Sequence, residues 1–418
     1  MRLKILYYCD EYPPIKSGGI GTVTKIIAEE MSRRGHEVFV LSGVLPNIQL
    51  PEEKIENGVK IFRLRYFKRI AFLFSRKRPN GNTLAVRILQ RLGILAIFAK
   101  KEFYRTHDII KKIINENKID IIEIPDYFKL SDYYKCRKEV SFPKYDIPSV
   151  ARVHGSQSFA SYFRDGKIND INKKNDLSLF NSTDRIIAVS RFSANFVNNV
   201  LGINRKIDVI YNPIDTERLL NNIEKKVGKN ESKGKNVVFI GKIVETKGSF
   251  NLIKAFNSFA RNHGEYHLVM IGSGDLEHAW SLTEEHTKDN VVFPGYISRK
   301  EICNYINNAT FCCVPSFFEN FSMVALEIMA LGKALIYTKE SSGPEIIQDG
   351  VNGLLVNPHS VRDIAEKMKI LAENEKKRML LGAEAKKTIE RHFTIPVIAS
   401  ELESCYINIV NEKNANSN

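Results

Sequence analysis

Short apolar runs alternate with longer amphipathic stretches along most of the chain. KILYYC (4–9), HEVFVLS (36–42), VKIFRL (59–64), IDIIEI (119–124), SVARVHG (149–155), DRIIAVS (184–190) and KIDVIYNP (206–213) read as strands. TKIIAEEMSRRG (24–35) and SRFSANFVNNV (190–200), lying between such runs, carry a helical period. A polar stretch from Thr216 to Asn236 follows, and then the alternation restarts. Its strands are NVVFIG (236–241), YHLVMIG (266–272), VVFPGYI (291–297), TFCCVPS (310–316), ALIYT (334–338) and GLLV (353–356), with helices at 249–262 and 301–309. Strands connected through helices pair in parallel, so each half predicts a doubly wound α/β domain.

A chain of 418 residues, 43% hydrophobic and 26% charged, is long enough for two such cores. The expected division is 1–212, then 213–395, then a last helix from 396 that packs back across both, ending in a disordered tail at 412–418. Ligands of doubly wound sheets gather beyond the carboxyl ends of the strands. Two facing domains would therefore enclose one ligand in a cleft.

Composition narrows the function classes. Six cysteines stand at positions without metal-ligand spacing, and Cys312-Cys313 fall in an apolar run, which fits buried thiols in a reducing compartment. The N-terminus reads as a first strand, no apolar segment is long enough to span a bilayer, and a cytoplasmic setting is expected. The net charge of +14 is concentrated: from Arg63 to Arg105 there are twelve Lys and Arg against the single acid Glu102. Phe62, Phe67, Phe72, Leu73, Phe74 and the run 93–99 interleave with those charges. Residues 62–105 thus predict basic amphipathic segments suited to an anionic membrane surface. A solvated face over core helices is the plainer alternative. No nucleic-acid-binding signature accompanies the charge.

The stretch SFFENFSMVALEIMALG (316–332) carries the most chemistry. It places Glu319 in a loop and Glu327 one to two turns into an apolar helix that ends at Gly332. The amides of Asn320, Phe321 and Ser322 fall at the helix N-terminus, where they and the helix dipole favour an anion. Carboxylates repel phosphate but accept from sugar hydroxyls. An anion site flanked by two carboxylates therefore suits a nucleotide sugar, and Glu327, alone in an apolar helix, needs a partner that ligand hydroxyls can supply. In IGKIVETKGSF (240–250), Lys242 and Lys247 share one loop and could both reach a diphosphate. Gly18, Gly19 and Gly21 open the first helix. They fit a tight strand-to-helix turn as well as a close approach to a ligand, and they match neither a dinucleotide fingerprint nor a P-loop. His154 ends a strand, where its imidazole could donate to a hydroxyl or a phosphate. No HExxH, CxxC, GxSxG or Asp-x-Asp occurs, so no dedicated metal site is expected.

Taken in order, PPIKSGGIG, His154, VSRF, VIYNPID, GKIVETKG, IGSGDLE, FPGYIS, the Glu-x7-Glu helix and SSGPEIIQDGVNGLLV resemble the family-four retaining glycosyltransferases of the GT-B fold. The resemblance covers nearly the whole chain and is most specific in its second half. It implies a metal-independent enzyme that needs no cofactor beyond its donor, a UDP or GDP sugar. Glu319, Asn320 and Phe321 would hold the sugar hydroxyls and Glu327 the ribose. Lys242 and Lys247 would neutralise the diphosphate, which Gly18 and Gly19 let the backbone approach. Gly272 and Tyr296 would lie near the nucleoside, and His154 near the reaction centre. The family commonly has Arg where this chain has Lys242, which keeps the charge but loses a bidentate contact. A glycan or lipid-linked acceptor is implied; the first domain would bind it, and the basic amphipathic segments of 62–105 would place it at a membrane, on the inner face of the plasma membrane. Two other readings are a nucleotide-sugar epimerase, which would need an acid/base pair beside the sugar, and a non-catalytic nucleotide-sugar-binding subunit.

Overall fold

The computed structural model describes residues 1–15, 18–74, 83–135, 137–223 and 235–417. The chain divides into two compact units, Met1–Pro213 with Ile398–Asn418, and Ile214–Val397.

Among the described residues the first unit is built on eight strands, β1 (Lys4–Tyr8), β2 (Glu37–Val44), β3 (Glu53–Glu56), β4 (Val59–Arg65), β5 (Ile121–Pro125), β6 (Ser149–Val153), β7 (Arg185–Ala188) and β8 (Ile207–Val209). They lie in the order β3-β4-β2-β1-β5-β6-β7-β8, all parallel except β3, which pairs antiparallel with β4 at the edge. That short strand, EKIE, escapes the sequence reading because its polar residues give no apolar run. Ile5, Leu6, Tyr7 and Tyr8 of β1 are all buried, as a strand covered by helices on both faces requires. Helices α1 (Gly19–Arg33), α2 (Leu84–Arg91) and α3 (Ile94–Asn117) follow β1 and β4.

Among the described residues the second unit carries six parallel strands, β9 (Lys235–Ile240), β10 (Tyr266–Ile271), β11 (Val291–Gly295), β12 (Phe311–Val314), β13 (Leu335–Thr338) and β14 (Leu354–Val356). Their order is β11-β10-β9-β12-β13-β14, so the winding reverses between β9 and β12. Helices α4 (Ser249–Ala260), α5 (Arg299–Asn308), α6 (Met323–Ala330) and α7 (Glu375–His392) belong to this unit. Cys312 and Cys313 are buried in β12, and burial pushes their thiols up, Cys312 to about 12. The polar stretch after Pro213 is not wholly irregular. Thr216–Asn221 is a helix capped by Asp215, whose carboxylate accepts from the Arg218 N–H at 2.9 Å.

A last helix, α8 (Ile395–Ser417), extends well past the expected end near 411. Its final turns are held on the first unit by Arg185 with Glu412 and by Lys413 with Asp184 at 2.9 Å. These ion pairs order a segment whose composition alone reads as a solvated tail. Further back, Glu403 accepts from Arg34 at 2.8 Å and faces His36 Nε2 at 3.0 Å, while Leu3 N–H donates to His36 Nδ1 at 3.0 Å. His36 Nδ1 must therefore be the acceptor nitrogen, leaving Nε2–H to donate to Glu403.

Candidate functional site

The point where the second sheet reverses its winding is also where its loops bring opposite charges together. The loop after β9 carries Lys242 and Lys247, and the loop after β12 carries Glu319. Lys247 and Glu319 form an ion pair. Backbone contact fixes that meeting: Phe317 N–H donates to Thr246 C=O at 3.0 Å. Gly248 lies in the left-handed region at φ +65°, and a Cβ there would stand 1.9 Å from the Pro315 carbonyl oxygen. Only glycine allows the two loops this approach. Glu319 is held from three sides. Ser316 Oγ donates to its carboxylate at 3.2 Å, its N–H donates to Ser341 Oγ at 3.1 Å, and its carbonyl accepts from Ser342 Oγ at 3.0 Å.

Ser322 caps α6, its Oγ accepting the Ala325 N–H at 3.3 Å. Asn320 and Phe321 precede it, and the buried Phe321 ring lies 5.9 Å from that of Phe393, anchoring the loop. Glu327 sits in the second turn of α6, 5% exposed. Burial raises its pKa, and the charge and hydrogen bond of Arg299 oppose that rise. Arg299, at the first position of α5, is its ion-pair partner. The partner that the sequence reading assigned to ligand hydroxyls is thus already supplied by the protein, from a residue that spacing does not connect with Glu327.

Neighbouring strand ends provide a glycine-lined floor. Gly272 N–H donates to Gly295 C=O at 3.0 Å, and a Cβ on Gly272 (φ +150°) would meet the Gly241 carbonyl oxygen at 1.9 Å. Tyr296, next to Gly295, is 84% exposed. Lys242 is exposed in the adjoining loop. Lys247, Glu319 and the start of α6 therefore form one cluster, Gly272 and Tyr296 another, and the Glu327–Arg299 pair joins α6 to α5. This arrangement can offer a cation to phosphate, carboxylates to hydroxyls and an open aromatic face to a base.

In the first unit, Gly18 and Gly19 open α1. Gly18 N–H donates to Glu11 Oε2 at 3.1 Å, so a carboxylate of the protein already occupies this amide. His154 follows β6 directly. The Asp126 carboxylate accepts from the His154 and Gly155 N–H groups at 2.8 and 3.1 Å, fixing the backbone at that strand end. Burial pushes the His154 imidazole down to about 3, with the charge of Arg152 adding, so it is neutral at ordinary pH. It can donate or accept a hydrogen bond but contributes no charge. Asp126 is pushed up to about 7 by burial, with the Asp176 charge adding, and Asp176 itself is pushed up to about 6 by burial. Both line a small pocket with Ser131, Gln157 and Asn172. The sequence reading passed over Asp126, although it follows β5 as His154 follows β6.

Comparison with known proteins extends this picture. The family model described as Glycosyltransferase Family 4 matches residues 17–218, and the one described as Glycosyl transferases group 1 matches 221–388, so together they take in most of the chain. An uncharacterized glycosyltransferase of Methanocaldococcus jannaschii is 27% identical over 97% of this chain and 98% of its own length. The capsular polysaccharide biosynthesis glycosyltransferase CapM of Staphylococcus aureus is 27% identical over 56% of this chain and 64% of its own. Among solved structures, Anabaena HepE in complex with UDP and glucose superposes with a TM-score of 0.65 at 16% identity, covering 97% of this chain and 100% of that one. Domain matches along the chain, the two doubly wound sheets and the likeness of fold agree: the chain belongs to the family-four glycosyltransferases and has their GT-B fold.

Proposed function

We propose that this glycosyltransferase takes a sugar from a UDP or GDP sugar and transfers it, with retention of anomeric configuration, to a glycan or lipid-linked acceptor in the assembly of a bacterial surface polysaccharide. The observation that carries the reading is the meeting of Lys247 and Glu319 across the switch point of the second sheet, beside a helix N-terminus whose second turn holds a buried carboxylate, Glu327. The complex of Anabaena HepE with UDP and glucose supports the donor class, and the capsular relative supports the polysaccharide.

In this scheme Glu319 and the loop of Asn320, Phe321 and Ser322 hold the sugar hydroxyls, and Glu327 holds the ribose. Tyr296 and Gly272 receive the nucleoside, and Lys242 and Lys247 face the diphosphate. By the family resemblance Gly19 would offer backbone to the phosphates, the Gly18 amide being taken by Glu11, and neutral His154 a hydrogen bond to the sugar. The bond between the anomeric carbon and the β-phosphate oxygen breaks, its electron pair leaving on that oxygen. The acceptor hydroxyl oxygen bonds the anomeric carbon on the same face, and its proton passes to the departing phosphate. The developing charge is met by the two lysines, with no metal in the scheme, and removing one such group costs about 100- to 1,000-fold in rate. The acceptor is placed at the inner face of the plasma membrane.

The test is transfer from UDP and GDP α-sugars to oligosaccharide and lipid-linked acceptors, with the product anomer assigned by NMR. An α-linked product is expected. A β-linked product contradicts retention, and isomerised sugar released without acceptor favours an epimerase.

A further inference from the structure

We propose that the exposed face shared by α2 and α3 docks the protein onto an anionic lipid bilayer, an inference that rests on the reading above of a membrane-borne acceptor. α2 turns its apolar residues outward. Val86 is buried and fixes the helix to its unit, while Leu84, Ile88 and Leu92, spaced four apart, are 59%, 49% and 68% exposed. Arg87 and Arg91 alternate with them on the same face. The adjoining α3 repeats the pattern with exposed Ile97, Lys101 and Tyr104.

The face is braced from behind. Thr83 Oγ1 accepts the Val86 N–H at 3.3 Å and donates to the Leu73 carbonyl at 2.7 Å, tying α2 to the turn in which Phe72 stands 70% exposed. The one acid between Arg63 and Arg105, Glu102, accepts from Arg105 Nε at 2.8 Å, so its charge is matched. Arg76, Lys77 and Arg78, which the sequence reading counted in this basic region, lie outside the described residues.

Aliphatic side chains interleaved with arginines suit a bilayer interface, where the former enter the acyl boundary and the latter reach headgroup phosphates. Nucleic acid offers phosphates but little for three aliphatic side chains to bury against. A second copy meeting this face symmetrically would set Arg87 and Arg91 against their own like charges. Among the described residues no helix is long and apolar enough to cross a membrane, so the proposed contact lies in the interface plane.

The experiment is cosedimentation of the full chain with phosphatidylglycerol/phosphatidylethanolamine vesicles and with pure phosphatidylcholine vesicles, at low and high salt. Nucleotide binding and the melting temperature are measured on the same samples. The proposal expects salt-sensitive binding to the anionic vesicles alone. The triple variant Leu84→Ser/Ile88→Ser/Leu92→Ser and the double variant Arg87→Ser/Arg91→Ser should each weaken it at least tenfold, with nucleotide binding and melting unchanged. Failure of the wild type to bind anionic vesicles at low salt, or full binding by the triple variant, overturns the proposal. So does a soluble dimer that the triple variant abolishes, if no vesicle binding accompanies it. Vesicle binding without binding of any nucleotide sugar would sustain this surface while removing the donor reading, so the two failures are separable.

Discussion

The guanidinium of Arg299 and the carboxylate of Glu327 form an ion pair between α5 and α6 of the second unit. Glu327 is nearly buried, and Arg299 is about half exposed. Arg299 therefore supplies the counter-charge of a buried carboxylate and governs its protonation state. Burial raises the pKa of Glu327 and Arg299 restrains that rise. Replacing Arg299 with Met should raise it further, so that more of the carboxyl is protonated as pH falls. We expect Arg299→Met to weaken nucleotide binding about tenfold at pH 6 and less at pH 8, with Arg299→Lys restoring most of it. Binding isotherms at the two pH values check this, and an equal loss at both would show that the arginine acts in another way.

Gly248 predicts the cost of separating the loops that carry Lys247 and Glu319. Gly248→Ala would combine left-handed strain with a Cβ 1.9 Å from the Pro315 carbonyl oxygen. It should destabilise the second unit by about 2–5 kcal/mol and also weaken nucleotide binding. Urea unfolding of this variant beside Gly264→Ala, where a Cβ meets nothing closer than 3.8 Å, makes the comparison.

A buried polar cluster joins α8 to the first sheet. Tyr406 donates to Glu123 Oε2 at 2.6 Å, Arg152 approaches the same oxygen at 3.8 Å, and Arg152 also donates to the Ile210 carbonyl at 3.2 Å. All three side chains are buried. Arg152→Met would leave the Glu123 carboxylate without its counter-charge and should cost about 3–5 kcal/mol. Tyr406→Phe removes one hydrogen bond and should cost about 1–2 kcal/mol. Denaturant midpoints of the two variants test that order, and a larger loss for Tyr406→Phe would reverse it.

Asp126 and Asp176 make the stability of the first unit depend on pH. Their folded pKa values, about 7 and about 6, lie above the ordinary aspartate value of 3.8. The folded state therefore binds more protons than the unfolded chain between about pH 4 and 7, and the contribution of the pair falls as pH rises through that window. His107 and His154, both pushed down to about 3, act in the opposite direction. Subtracting a variant removes that opposing part. Asp176→Asn should thus lose less stability than the wild type between pH 5 and pH 8, as read from urea midpoints.

The sheets and the Glu-x7-Glu helix were legible in the sequence because each rests on a local pattern. β9 and β12 are apolar runs bounded by glycine or proline, and α6 is an apolar helix that opens after Ser322. What escaped is non-local or polar. Nothing in the spacing ties Arg299 to Glu327, since 28 positions separate two residues that meet only after α5 and α6 pack. Asp126 acts through backbone amides just past the end of another strand, and no motif of its own marks it. The last turns of α8 are polar, and ion pairs to Asp184 and Arg185 order them. The edge strand β3 has too few apolar residues to announce itself.

The central claim is that the second unit holds a nucleotide-sugar donor at the β9–β12 switch point. Its most direct test is titration calorimetry with a panel of UDP, GDP and ADP sugars on the wild type, Lys247→Ala and Glu327→Ala. The account predicts saturable binding of one nucleotide class, weakened at least about tenfold in Lys247→Ala and lost in Glu327→Ala. Binding that survives Glu327→Ala unchanged, or no binding of any nucleotide sugar by the wild type, would contradict it.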